Sequence, residues 1–156
     1  MSKTNIDATD RKIIRFLVKN ARMPFLEIAR ECGISGAAIH QRIKKLEEAG
    51  IIRGSCLTVD PKKLGFDVCA FVNINVSNMQ EQLSTIEQLQ QIPEIVECYV
   101  VTGTHNIMVK LYCLDNDHLM DTIFNRILKI PSISATQTSI CMHEGFVRPV
   151  YVDCLE

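Results

Sequence analysis

Two short segments of similar sequence, 38 residues apart, restrict the possible folds of this chain more than any other feature. Residues 91–95 read QIPEI and residues 129–133 read KIPSI. Each follows a stretch in which apolar residues recur at helical spacing, and each leads into an apolar segment typical of a strand. The chain therefore contains two consecutive strand-helix-strand units.

Alternating apolar residues mark the strand that opens each unit. The first strand has apolar residues at 68, 70, 72, 74 and 76, and the other has Ile107, Val109 and Leu111 on one face. Helical stripes follow, formed in the first unit by Leu83, Ile86 and Leu89 and in the second by Leu119, Met120, Ile123, Phe124, Ile127 and Leu128. The order βαββαβ predicts a ferredoxin-like domain, in which two helices cover one face of a four-stranded antiparallel sheet. The opposite face includes Phe71, Tyr99 and Met108, which indicates that a partner covers it, most simply a second copy of the chain.

The N-terminal part has the pattern of a helix-turn-helix domain. Asp7 is placed to cap a first helix with the stripe Ile13, Ile14, Leu17 and Val18; a second helix follows Pro24 and ends at Gly33. The tight connection from Gly33 to Ser35 leads into a third helix that ends at Gly50. The predicted class is α+β, with an N-terminal winged helix-turn-helix domain and a C-terminal ferredoxin-like domain.

The third helix has an apolar face and an exposed basic face. Ile39, Ile43 and Leu46 form the apolar stripe, whereas Ala37, Gln41, Lys44 and Lys45 lie opposite. Small residues, an amide and two lysines suit a helix that enters a DNA major groove; an ordinary amphipathic surface helix is the alternative. Arg42 flanks the apolar stripe, so it is expected either to hold phosphate or to form a salt bridge with Asp10.

Charge is divided unevenly along the chain. Residues 1–63 hold 13 Lys and Arg against 7 Asp and Glu, a balance of +6, whereas residues 64–156 hold 4 against 11, a balance of -7. This asymmetry favours a nucleic-acid contact through the first part alone. We assign residues 1–59 to the DNA-binding domain, 60–66 to a linker and 67–156 to the second domain. Residues 51–53 and 56–59 are expected to pair as a small wing that brings Arg53 near the duplex.

Composition excludes several other classes of protein. No apolar run approaches the roughly 20 residues needed to cross a bilayer, and no secretory signal is present, so we expect a cytoplasmic protein without membrane partners. The seven cysteines include no CxxC pair and are expected to be reduced. Because no nucleophile-base pair, metal-ligand spacing or phosphate loop is evident, we expect neither an enzyme nor a bound cofactor or metal.

Residues 101–106 form a predicted turn with an unusual density of polar side chains. Glycine, threonine and asparagine are common turn formers, so a plain hairpin is one interpretation, with His105 an exposed turn residue. An exposed glycine backbone beside hydroxyl and amide groups is also suited to hold the amino and carboxylate groups of an amino acid. The sequence leaves both interpretations open.

Taken together, these motifs resemble the Lrp/AsnC family, the leucine-responsive or feast/famine regulators of bacteria and archaea. The resemblance spans nearly the full chain and includes Ile6-Asp7, Asp10 to Ile13, Asn20 to Arg22, Ile34-Ser35, Arg42 to Glu47, Gly50 to Gly54, Leu64-Gly65, Pro93 to Cys98 and Thr102-Gly103. It implies a regulator that binds double-stranded DNA, forms dimers that assemble further, often to octamers, and senses an amino acid.

Two sets of site residues are predicted, one for DNA from the chemistry of the third helix and its neighbours, and one for the effector from the resemblance. The DNA-binding set is Ser35, Ala37, Ala38, Gln41, Arg42, Lys44, Lys45 and Arg53. The effector-binding set is Gly103, Thr104, His105, Asn106, Thr136, Thr138 and Ser139. Family members typically carry acidic residues around an aromatic in this turn, so Thr104 to Asn106 depart from the pattern and offer no carboxylate to an effector's ammonium group. Pro24 replaces the usual Ser or Thr before the second helix.

The leading hypothesis is a sequence-specific transcriptional regulator that responds to a small molecule, which the resemblance implies is an amino acid. One alternative is an architectural protein that compacts DNA with low specificity, which a low ratio of specific to non-specific affinity would identify. A metabolite-binding module that works through the second domain alone is the other.

Overall fold

The protein divides into two compact units. The structure, a computed structural model, describes residues 6–150 and 152. One unit extends to Thr58 and also includes the segment that begins at Phe146; the other runs from Val59 to Gly145. The sequence assigned the segment from Phe146 to the second domain, whereas its contacts group it with the first. The proposed domain and linker boundaries stay predictions.

Three helices form the first unit: α1 (Ala8–Lys19), α2 (Phe25–Cys32) and α3 (Gly36–Glu48). A capping box starts α1, since the Asp7 carboxylate accepts a hydrogen bond from the Asp10 N–H and the Asp10 carboxylate accepts one from the Asp7 N–H. Pro24 starts α2 without a side-chain cap. Gly33 ends α2 with a φ of 67°, a left-handed conformation that glycine adopts without steric cost. The helix boundaries agree with the caps expected from the sequence.

The expected wing is not formed by hydrogen-bonded strands, because residues 51–59 contain no strand. The N–H groups of Ile51 and Ile52 both donate to the carbonyl of Leu46, at 2.9 and 3.1 Å, and so complete the C-terminal cap of α3. Both isoleucine side chains pack against the helical core. The capping bonds use the donors that a hairpin would need, and a lone two-stranded hairpin is marginally stable in water.

The second unit has the predicted βαββαβ order. Its strands are β1 (Val68–Val76), β2 (Ile95–Val100), β3 (Ile107–Cys113) and β4 (Ile133–Ile140), and its helices are α4 (Gln82–Leu89) and α5 (Asn116–Asp121). All three strand pairings are antiparallel, and the strand order is β2-β3-β1-β4. Single 3-10 turns lie at Lys62–Leu64 and Met79–Glu81. The predicted fold class is confirmed.

Helices α4 and α5 cover one face of the sheet. Buried on that face are Ala70, Val72 and Ile74 of β1 and Ile107, Val109 and Leu111 of β3. Leu83 was expected in this core but is 75% exposed. The core positions of α4 are Thr85 and Leu89, and Leu83 lies about 200° around the helix from Thr85.

Helix α5 continues directly into a π-helical turn at Thr122–Ile127. In a π-helix, an N–H group donates to the carbonyl five residues earlier, as the Leu128 N–H does to the Ile123 carbonyl at 2.9 Å. Ile123 and Ile127 face the core, whereas Met120 and Phe124, also expected there, are more than half exposed.

The other side of the sheet, the open face, carries a mixture of apolar and polar side chains. In β1 these are Cys69, Phe71, Asn73 and Asn75, all half-buried. Lys110 lies at the centre, with its ammonium 5.9 Å from the Phe71 ring centre and 3.9 Å from the Glu97 carboxylate. The open face is therefore less apolar than the sequence suggested.

Candidate DNA-binding and effector sites

Helix α3 presents the predicted basic face to solvent. Ile39, Ile43 and Leu46 are buried in the core of the first unit, whereas Ala37, Gln41, Lys44 and Lys45 are exposed on the opposite side. Ser35 accepts a hydrogen bond from the Ala38 N–H at 3.2 Å, so its hydroxyl caps the helix. An exposed helix with small residues in its first turn can bring its backbone close to base edges.

Arg42 forms the salt bridge that was the alternative to a phosphate contact. Its Nη1 donates to Asp10 Oδ1 at 2.6 Å and to Asp7 Oδ2 at 2.7 Å. The Asp10 side chain is fully buried, whereas those of Arg42 and Asp7 are 31% and 53% exposed. The Asp10 N–H and the Arg42 guanidinium hold the pKa of Asp7 below its ordinary value of 3.8. Arg42 thus fixes α3 to the start of α1.

The two lysines of α3 are only weakly engaged. Lys44 Nζ lies 3.8 Å from Glu48 Oε1, and Lys45 Nζ lies 3.9 Å from Asp10 Oδ2. Their side chains are 76% and 58% exposed, so these surface contacts add little stability and leave both ammonium groups accessible to phosphate. Arg53 is exposed in the segment after α3.

His40 is an exposed residue of α3 that the sequence did not single out as a candidate contact. It lies beside Lys44 on the helix surface, and its ring meets the edge of Phe25 with 5.3 Å between the ring centres. The sequence could have indicated this candidate, because His40 lies about one helical turn before Lys44 and so shares its side of the helix.

The turn between β2 and β3 is fastened to the sheet by Asn106. The Val101 N–H donates to the Asn106 carbonyl at 3.0 Å, and the Asn106 N–H donates to the Ile74 carbonyl at 3.0 Å. The Asn106 side-chain oxygen accepts a hydrogen bond from the Val76 N–H at 2.9 Å, where the pairing of β1 with β4 shifts register. Gly103 and Thr104 stay exposed, and Gly103 has a φ of 122°.

His105 connects this turn to two strands. Its Nδ1 lies 3.0 Å from Asn75 Oδ1 in β1, and its Nε2 lies 2.9 Å from Gln137 Oε1 in β4. The ring is half-buried, so His105 is not the freely exposed turn residue that one interpretation expected. Sequence reasoning missed Asn75 and Gln137, although strand alternation places both on the open face.

The three effector candidates of β4 do not share one face. Thr136 and Thr138 pair with Ile74 and Val72, whose side chains point toward the helices. Ser139 pairs with Phe71 and therefore lies on the open face. The structure brings His105 beside Gln137, on the open face that Ser139 also occupies.

The second unit also contains a small cavity. A cavity of about 180 Å³ lies between α4 and β2 and is lined by Ile86, Gln90, Ile95, Val96, Glu97 and Cys98, away from the predicted effector turn. Residues 6–150 and 152 contain no group of three or more His, Cys, Asp or Glu side chains placed to hold a metal ion. None of the helices among these residues is both long enough and apolar enough to cross a membrane.

Two protein families match this chain in succession. Residues 6–53 match a winged helix-turn-helix DNA-binding family, and residues 69–150 match the Lrp/AsnC ligand binding domain. The first match covers the three helices, and the second covers the sheet and its helices. The two matches thus follow the division seen in the structure, except that the second match extends past Gly145 into the segment grouped with the first unit.

Named relatives and solved structures share this architecture. Regulatory protein AsnC from Haemophilus influenzae is 36% identical over 146 residues, which cover 94% of this chain and 97% of that protein. The structure of AsnC from Escherichia coli, at 35% identity, has a TM-score of 0.87 and covers 94% of this chain and 99% of that one. A transcriptional regulator from Neisseria meningitidis, solved as a complex with L-Met, shares the fold with a TM-score of 0.89 at 21% identity, covering 97% of this chain and 100% of its own.

Proposed function

Because the chain belongs to the Lrp/AsnC family of transcriptional regulators, as its sequence motifs predicted, we propose that it binds specific DNA sequences through α3 and responds to an amino acid through its second unit. The exposed face of α3, held in place by the salt bridge from Arg42 to the buried Asp10, is the observation that supports DNA binding most directly. The regulators named among its relatives also support a regulator rather than an enzyme. We also propose that it acts in the cytoplasm.

We propose distinct roles for the residues of the DNA-binding surface. Gln41 contacts base edges, and the small side chains of Ala37 and Ala38 allow the backbone to approach the groove. Ser35 caps the helix. Lys44, Lys45 and Arg53 are assigned to phosphates, whereas Arg42 positions the helix, because its guanidinium is held by two carboxylates.

A salt titration of DNA binding tests the phosphate assignment. Replacing Lys44 and Lys45 together by alanine should weaken binding to all sequences and flatten the slope of log K against log salt by up to about two units. The matched control is Lys62→Ala with Lys63→Ala, an exposed lysine pair in the second unit that gives the same change in net charge. Equal slopes for the two double variants would remove Lys44 and Lys45 from the interface.

A second titration separates sequence-specific regulation from architectural DNA compaction. Gln41→Ala should lower affinity for a selected target site while it leaves binding to random DNA nearly unchanged, with a loss of about 1–3 kcal/mol at the affected base. A natural protein that binds selected and random duplexes with nearly equal affinity would favour the architectural alternative.

We propose that a second copy of the chain covers the open face and that such dimers assemble further, to octamers. Half-buried Phe71 and Met108 beside Lys110 and Glu97 give this face both apolar area and paired charges. Two copies would present two α3 helices to successive major grooves. Light scattering tests this point: a mass of about 17.6 kDa, that of a single chain, at micromolar concentration would contradict it.

The effector proposal concerns the turn at residues 103–106 and its neighbours in β4. His105 is the central candidate because it connects the turn to Asn75 and Gln137. Thermal unfolding measured with each of the twenty amino acids should reveal a ligand through an increase in melting temperature. His105→Ala should reduce that increase, whereas Lys129→Ala, a change at an exposed residue outside both the turn and β4, should preserve it.

A further inference from the structure

The start of α2 lies against the first two turns of α3, and His40 is at this contact. The His40 and Phe25 rings meet edge to face, with 5.3 Å between the ring centres and 72° between the ring planes. One turn earlier in α3, a Cβ at Gly36 would lie 3.0 Å from Leu26 Cδ2, so the missing side chain allows the two helices to approach closely. Two consecutive residues of α2 thus lie beside one row of α3.

This contact restrains the imidazole of His40 and leaves its polar atoms accessible. Phe25 is half-buried and packs against the core of the first unit, so its ring is a fixed support. His40 itself is exposed. Neither of its ring nitrogens forms a hydrogen bond with any of the residues that the structure describes. An edge-to-face pair has a preferred geometry, so the ring is oriented by an apolar contact alone.

His40 belongs to the surface that is proposed to face DNA. Ala37 lies three residues before it and Lys44 four residues after it, so the three side chains are neighbours on α3. His40 also lies in the N-terminal half of the helix, the part that reaches base edges when a recognition helix enters the major groove. The small side chain of Ala37 leaves space beside the imidazole for a base.

The chemistry of the exposed ring suits a base edge better than a phosphate. A neutral imidazole has one N–H donor and one acceptor nitrogen, and base edges in the major groove present both donors and acceptors. Phosphate presents acceptors only, and the accessible ammonium groups of Lys44 and Lys45 are available for it. Because the ring is already oriented, it loses little further freedom on binding, which favours a directional contact.

We propose that His40 is a specificity-determining residue that contacts a base edge in the major groove, and that Phe25 is the positioning residue that orients its ring. This inference rests on the proposed binding of specific DNA sequences by α3 and extends it to a contact between α2 and α3. In the complex, the accessible edge of the imidazole forms a hydrogen bond with one base. Removal of the imidazole therefore removes discrimination at one base pair, and removal of the Phe25 ring weakens discrimination at the same base pair.

Selection of binding sites from a random duplex library with the full chain tests this proposal, because it gives the base preference at each position. His40→Ala should lower affinity for the selected site by roughly 5-fold to 150-fold and remove the preference at one position. Its affinity for random duplexes and its slope of log K against log salt should not change, because no phosphate contact is lost. The matched control is His143→Ala, the same change at an exposed histidine of the second unit, which should behave like the natural protein.

Phe25→Leu tests the positioning role, since leucine keeps an apolar side chain but lacks the ring. It should reduce the preference at the position that His40→Ala affects. Added to His40→Ala, it should have little further effect on base preference, because no imidazole is left to orient. Thermal unfolding of each variant separates a loss of orientation from a loss of the folded first unit. His40→Ala changes an exposed side chain and decides the proposal even if Phe25→Leu fails to fold.

Two results with His40→Ala would overturn the proposal. Unchanged base preferences and affinity would exclude a base contact. A uniform loss of affinity for all sequences, with the salt slope reduced by about one unit, would show a phosphate contact instead. A folded Phe25→Leu variant with full preference at the His40 position would refute the positioning role. If the natural protein selects specific sites, these results contradict only this inference; if it selects none, the proposed sequence-specific function fails as well.

Discussion

Replacing Arg42 with methionine should selectively destabilise the first unit, because it leaves the buried Asp10 carboxylate without its shortest ionic contact. In the structure Arg42 Nη1 lies 2.6 Å from Asp10 Oδ1, and the Asp10 side chain has no exposed area. Methionine keeps a similar unbranched stem for packing while it removes the charge. The change therefore isolates the ionic contact from the volume of the side chain.

The expected loss follows from the burial of each partner. Removing one partner of a buried ion pair costs about 3–5 kcal/mol. Arg42 is itself 31% exposed, and Lys45 lies 3.9 Å from the same carboxylate, so both water and a second cation moderate the loss. The contact with Asp7, which is 53% exposed, contributes roughly 0–1 kcal/mol. We expect a total of about 2–4 kcal/mol.

Amide hydrogen exchange resolves the two units and is therefore the appropriate assay. A loss of about 2–4 kcal/mol should accelerate exchange of the slowest amides in α1 and α3, such as those of Ile13 and Ile39, by about 30-fold to 700-fold. Amides of Val72 and Val109 in the second unit should exchange at their original rates. The second unit thus serves as an internal reference within the same sample.

Two further variants make the result decisive. Lys44→Met changes charge equally but breaks only an exposed contact at 3.8 Å, so it should cost less than about 0.5 kcal/mol. Asp10→Leu added to Arg42→Met should recover much of the stability, because no buried charge is left unpaired. A loss of stability for Arg42→Met no larger than that for Lys44→Met, or an equal acceleration of exchange in both units, would contradict the predicted role of the Arg42–Asp10 contact.

Three other predictions concern separate contacts. The pKa of Asp7 is lowered in the folded protein, so its stabilising contribution is present above the unfolded pKa and is lost as pH falls through the folded value; carboxyl NMR titration should give a midpoint below 3.8. Gly103→Ala should destabilise the second unit by roughly 1–2 kcal/mol in thermal unfolding, because alanine is strained at a φ of 122° although its Cβ would meet no atom within 4 Å. Thr85→Val should cost about 1–3 kcal/mol in urea unfolding, since it leaves the buried Ser132 hydroxyl without its partner at 2.6 Å, and Ser132→Ala added to it should restore part of that loss.

The sequence predicted those features that depend on local chemistry. Caps at Asp7 and Ser35 and the glycine at position 33 set the helix boundaries, and alternation in β1 and β3 identified the buried face of the sheet. Each of these depends on side chains only a few residues apart. The resemblance to the Lrp/AsnC family, which uses motifs along the whole chain, predicted how the elements assemble.

The errors arose where a polar residue occupies a core position or a backbone group has two possible partners. Thr85 faces the core because its hydroxyl pairs with Ser132 and with the Glu81 carbonyl, an arrangement that an apolar pattern does not reveal. Leu83 was consequently assigned to the wrong side of α4. The predicted pairing of residues 51–53 with residues 56–59 was wrong for the second reason, since the N–H groups of Ile51 and Ile52 complete the end of α3.

Strand register determines which face of the sheet each effector candidate of β4 occupies. Their placement therefore bears on whether effector binding requires a second chain. Thr138 and Ser139 are adjacent in sequence, yet they pair with Val72 and Phe71 and so point to opposite faces of the sheet. A single small ligand can contact both residues within one chain only if it reaches around the edge of β4. In the other arrangement, the ligand lies on one side of the sheet and a second chain supplies the remaining contacts. In the second arrangement the ligand binds the assembled form more tightly than the separate chain, and by linkage it must strengthen assembly by the same factor. An amino acid that raises the melting temperature should then also shift the association equilibrium, whereas a ligand held within a single chain would raise the melting temperature alone.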